Sequence, residues 1–199
     1  MTMDINAFIN RTKNLIVKPE EEWKVIESED TKPGAIMMNF VLPYLVLGFV
    51  ATLLGSYLFA GRWIFNPLGY AIATAVTSFV VYIIVLYVTP IIIKALGSSF
   101  GTEVSQEKAF KLMAYSFVPS YLIAIVTGLF PVVSILGIAG LYSLYIFWHG
   151  FGSLLHTPED KKVGFYIVSI LIIIGEYVVL GLILGMILTG LFLGSLFSI

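Results

Sequence analysis

No Asp, Glu, Lys or Arg stands between Lys32 and Arg62, between Arg62 and Lys94, or between Lys111 and Glu159, and past Lys162 Glu176 is the single such residue. Uncharged apolar runs of this length leave no polar layer to cover a soluble core, whereas a bilayer needs about 20 such residues per helix. The chain therefore reads as a polytopic membrane protein with little mass outside the bilayer. Its hydrophobic fraction of 59% agrees, against roughly 45–50% in soluble domains. A net charge of -1 argues against nucleic acid and other polyanions as partners. Cysteine is absent, which excludes disulfides, thiolate catalysis and Cys-ligated metals.

The charge gaps and breakers predict an all-α bundle of five membrane helices. Residues 1–34 form a cytoplasmic helical segment and residues 35–199 the membrane domain. Spans are expected at about 35–60, 67–95, 110–130, 132–152 and 163–188. Gly128 and Pro131 divide the uncharged run after Lys111 into two spans with a very tight turn. The apolar tail from Val163 would be roughly 55 Å long as one straight helix, more than a ~30 Å hydrocarbon core needs. It is expected to tilt strongly, to break near Thr189-Gly190, or to continue along the interface. The first apolar run begins too far from the start for a cleavable signal peptide, so it is expected to be a permanent anchor.

Five spans put ten of the eleven basic residues on the N-terminal side, with Arg62 alone opposite. Short loops rich in Lys and Arg stay cytoplasmic. The N-terminus is thus expected inside and the C-terminus outside. Before the first span, Ile5, Phe8, Ile9, Thr12, Leu15 and Ile16 recur at helical spacing. Pro19 suits the first turn of a second helix, Glu20-Glu21-Glu22-Trp23. Three consecutive acidic residues would be repelled by anionic lipid, so this segment is expected to pack on the cytoplasmic ends of the spans.

The order of features resembles the Yip1 domain family, in its short prokaryotic form. The resemblance rests on Pro19, Trp23, Ile26 and Glu29 in KPEEEWKVIESE, and on Tyr115 and Pro119 in AFKLMAYSFVPSYL, with Ala114 where the family signature has glycine. Leu141 to Tyr145, the TPEDKK turn and the long last span extend it over essentially the whole chain. Eukaryotic members sit in the endoplasmic reticulum and Golgi, associate with prenylated Rab GTPases and influence vesicle traffic. Their Asp-Leu-Tyr-Gly-Pro-type motif does not occur in these 199 residues. The resemblance implies a fold and a location in a prokaryotic plasma membrane, with no established biochemical activity.

Glu176 is the first candidate site, close to the bilayer centre. An ionisable group at that depth either locks helices by hydrogen bonds or serves a proton or cation path. Equal depth in other spans reaches Tyr82, Tyr121 and Tyr142, whose hydroxyls are suitable partners, and Glu176 is expected to face the bundle with a Tyr, Ser or Thr hydroxyl of another span in hydrogen-bonding distance. Pro119 lies mid-span and should kink the third span by freeing the carbonyl of Tyr115. Gly181 with Gly185, Gly190 with Gly194, and the run Gly69, Ala73, Thr77 permit close helix approach, within the bundle or in a homodimer. His149-Gly150-Phe151-Gly152-Ser153 lacks the nucleophile elbow of an esterase, and His149 and His156 are too far apart to share a metal. No catalytic residue, metal site or cofactor is expected. The function read here is a non-enzymatic membrane organiser that partners lipid, itself or other membrane proteins. A small transporter or channel built around Glu176 is the alternative.

Overall fold

The computed structural model describes residues 4–59 and 66–196, with side chains as far as residue 187. Arg62 therefore lies outside the described residues, and of Gly190 and Gly194 only the helical backbone is described. Two short helices come first, α1 (Ile5–Val17) and α2 (Pro19–Ser28). The membrane helices follow as α3 (Pro33–Phe59), α4 (Pro67–Gly97), α5 (Gln106–Ser116), α6 (Val118–Leu129), α7 (Tyr142–Leu155) and α8 (Glu159–Leu196). Among the described residues there is no strand. Among the described residues four helices are long and apolar enough to cross a membrane, and the count is five where α5 and α6, bent by 43° at their junction, are taken as one span.

Local chemistry fixes the ends. Asp4 caps α1 by accepting from the amides of Asn6 and Ala7, Asn66 caps α4 through Gly69, and Ser105 caps α5 through Lys108. Pro43 has no N–H for the ladder of α3, and a π turn over Met37–Val41 absorbs the defect by bonding the Leu42 amide to the Met37 carbonyl. The 3₁₀ segment Pro131–Leu141 opens the fourth span. At three residues per turn, side chains three apart eclipse. Val132, Ile135, Ile138 and Leu141 accordingly stack in one outward row, each more than 60% exposed in the isolated chain, as suits a lipid-facing ridge.

Boundaries differ from the expected ones mainly at the end that carries α1 and α2. The second span runs on to Phe100, the third begins at Gln106, the fourth ends at Leu155 and the last helix starts at Glu159. There the polar turns tuck against the bundle. Thr102 donates to the Leu155 carbonyl at 2.6 Å, and His156 meets Glu27 at 2.9 Å. Of the three courses expected for the tail, no break occurs, because α8 continues through Thr189 and Gly190.

The α1–α2 hairpin is wedged into the bundle. Leu15, Trp23 and Ile26 are fully buried. Arg11 holds the hairpin closed by pairing with Glu22 at 2.8 Å and with Glu29, while Asn14 donates to Glu22 at 2.9 Å. Lys111 of α5 donates to the carbonyls of Ile26 and Glu29. An acidic stretch thus meets basic side chains of its own chain.

Candidate functional site

Glu176 lies where α8 crosses α4. The hydroxyl of Thr89, fully buried on α4, donates to its Oε2, while its Oε1 is buried without a hydrogen-bond partner among the described residues. The cost of a lone carboxyl in hydrocarbon drives this pairing. A Tyr, Ser or Thr hydroxyl of another span is the partner the sequence leads one to expect, and the structure supplies Thr89 rather than one of the tyrosines reached by counting depth. None of the described cavities is lined by Glu176.

Two of the three candidate tyrosines do meet. Tyr82 packs edge-on against Tyr121, centroids 5.9 Å apart, and against Tyr177 of α8 at 6.0 Å. Tyr121 in turn stacks on Tyr44 at 5.5 Å, and the Tyr44 hydroxyl is hydrogen-bonded to Thr12 of α1. An aromatic chain therefore runs from the last span to the N-terminal hairpin. Tyr177 and Tyr44 were not singled out from the sequence, although Tyr177 is the immediate neighbour of Glu176. Tyr142 belongs elsewhere: it is exposed, stacks on Tyr145 and donates to the Ile16 carbonyl at 2.9 Å. The 3₁₀ stretch before it has a longer rise per residue than an α-helix, so counting at α-helical rise misplaced its depth.

The third span breaks at Phe117 (φ -89°, ψ 11°), two residues before Pro119, which falls in the first turn of α6. A helix start leaves amides without intrahelical partners. The Ser120 amide donates to Ser143 Oγ at 3.1 Å, and the two hydroxyls lie 2.8 Å apart. Ser120 Oγ also donates to the Gly140 carbonyl at 3.2 Å. The bend is thus clasped by the fourth span, through the serine of its Tyr142-Ser143 segment. Tyr115, before the break, lies 4.8 Å from Phe40 and 6.3 Å from Trp23.

Trp23 is the anchor of the hairpin. Its indole N–H donates to the Ile146 carbonyl at 3.0 Å, and its ring fills the space over Gly150, where a β-carbon would come within 2.4 Å of Trp23 Cζ2. Pro19 is buried at the head of α2. Gly181 and Gly185 do not pack within the bundle, since a β-carbon at either meets nothing within 4 Å. The intramolecular alternative for that pair is thereby corrected: α8 turns its buried face, including Ile173, to α4 and leaves the glycines outside. The close crossing lies elsewhere, where a β-carbon on Gly55 of α3 would sit 2.0 Å from the Gly128 carbonyl oxygen of α6. Among the described residues no group of His, Asp or Glu is placed to hold a metal ion.

The family model described as the Yip1 domain matches residues 13–183. The match includes the hairpin anchor Trp23, the bent third span and most of α8. No curated protein and no solved structure matches the chain.

Proposed function

We infer that this chain, which belongs to the Yip1 domain family, is a non-enzymatic integral membrane protein that organises the membrane through contacts with other membrane helices. The observation that carries this reading is the state of Glu176. Its carboxyl is tied to Thr89 at a helix seam and lines none of the described cavities. A carrier or channel would need water to reach that group. The outward glycines of α8 supply a surface for a neighbouring helix, because small residues let backbones approach closely. A second copy or another membrane protein would fit there.

The chain has no native cysteine, so single cysteines report without background. Oxidative crosslinking in native membranes is expected to yield adducts from Gly181→Cys and Gly185→Cys, and none from Val179→Cys, which is exposed on another face of α8. No adduct from either glycine position would count against the partner role. Glu176→Gln is expected to preserve fold and crosslinking, since the amide can still accept from Thr89. Proton or cation flux in proteoliposomes, abolished by that substitution, would favour the transporter instead.

The cytoplasmic placement of the hairpin rests on the Lys/Arg asymmetry. A reporter fused after Ile199 is expected to be extracytoplasmic and one inserted after Gly101 cytoplasmic. Finding both on one side would refute the orientation.

A further inference from the structure

A cavity of about 360 Å³ lies among the first four spans, with Tyr44 and Thr52 from α3, Ser78 and Tyr82 from α4, and Tyr121 and Thr127 from α6 on its wall. A second cavity of about 340 Å³ shares Thr52, Thr127, Gly128 and Pro131 with it and continues to Ser56 and Tyr70. The pair extends from the tyrosine cluster toward the end of the bundle opposite α1 and α2. No charged side chain is among the described residues lining either cavity.

The hydroxyls differ in what they offer. Ser78 and Thr127 donate to carbonyls of their own helices, at 3.0 and 2.9 Å, and keep lone pairs to accept with. Tyr82 and Tyr121 line the cavity with no hydrogen-bond partner among the described residues. Phenol groups inside a protein ordinarily find a partner. The site therefore presents donors and acceptors a few residues apart, beside an apolar wall of Leu45, Phe49, Phe79 and Ala124. Pockets that enclose small molecules have this make-up, apolar with few convergent polar groups, and begin at about 300 Å³. Among the described lining residues a charged head would meet no counter-ion, and its burial there would be costly.

We propose that this cavity binds an uncharged amphiphile, a hydroxyl- or ester-bearing lipid of the monoacylglycerol type, with its head at Tyr82 and Tyr121. Gly48 lines the cavity, and a β-carbon there would meet only Ile125 Cγ1 at 4.0 Å, so Gly48→Phe fills the space from an open position. Tyr82→Phe with Tyr121→Phe removes both donors while keeping ring volume.

The test is native mass spectrometry of detergent-purified protein with monoolein, with oleate at pH 8 as the charged analogue of the same chain. Wild type is expected to retain one equivalent of monoolein and at least fivefold less oleate. Gly48→Phe is expected to retain none, and the double phenylalanine variant at least fivefold less than wild type. Should Gly48→Phe lose its monodisperse elution, the double variant, which alters no packing volume, decides alone. Equal retention of oleate and monoolein, or undiminished retention by the double variant, would mean lipid on the outer surface only and would overturn the proposal.

Discussion

Trp23→Ala is expected to cost about 3–5 kcal/mol and to release the N-terminal hairpin from the bundle. The ring is fully buried, its N–H is bonded to Ile146, and it fills the space that Gly150 leaves open. Truncation removes that packing and opens a cavity that α2 and α7 cannot close, since each is held elsewhere by Lys111 and by Ser143. Gly150→Leu should act from the other side, because even its first carbon would be 2.4 Å from the indole. Both variants are expected to melt roughly 10 °C lower in detergent. Both should also become sensitive to trypsin at Lys13 and Lys24 while α3 to α8 stay intact. Wild-type melting with full protection of the hairpin would show that Trp23 is not its anchor.

Charge spacing made the spans legible because the bilayer imposes one dominant constraint, roughly 20 apolar residues per crossing. The same constraint is blind to geometry within the hydrocarbon. Pro119 signalled a bend, yet the break falls at Phe117, and nothing local marks Ser143 as the partner of the Ser120 amide. Glu176 was visible as the lone acidic residue of the expected spans, but its partner depends on which helix α8 leans against. Depth counted along the fourth span failed for Tyr142 because eleven residues there wind as a 3₁₀ helix. The period of three in Val132, Ile135, Ile138 and Leu141 was the available signal, and a search for periods of 3.6 and 2 passes over it. Trp23 stood out in the sequence. Its counterpart Gly150 was read only within a glycine-rich stretch, since a small residue declares its role through what fills the space beside it.

The same reasoning sets the second large effect, at Gly55. A β-carbon there would lie 2.0 Å from the Gly128 carbonyl oxygen and 2.7 Å from that of Leu129. Both obstacles are backbone, and the reciprocal position is closed as well, because a β-carbon on Gly128 would approach Thr52 Oγ1 at 2.7 Å and its amide nitrogen at 3.2 Å. Overpacking ordinarily costs about 1–3 kcal/mol when side chains can rotate away. Here the helices themselves must separate, so Gly55→Ala is expected to exceed that range and to prevent recovery of a monodisperse protein. Gly48→Ala, about two turns earlier on the same helix, meets only Ile125 Cγ1 at 4.0 Å and is expected to be tolerated. The contrast separates close approach from helix propensity, because alanine is the better helix former at both positions. Size-exclusion profiles and melting curves of the two variants decide it. Equal stability would mean that α3 and α6 cross farther apart than the Gly55–Gly128 contact requires.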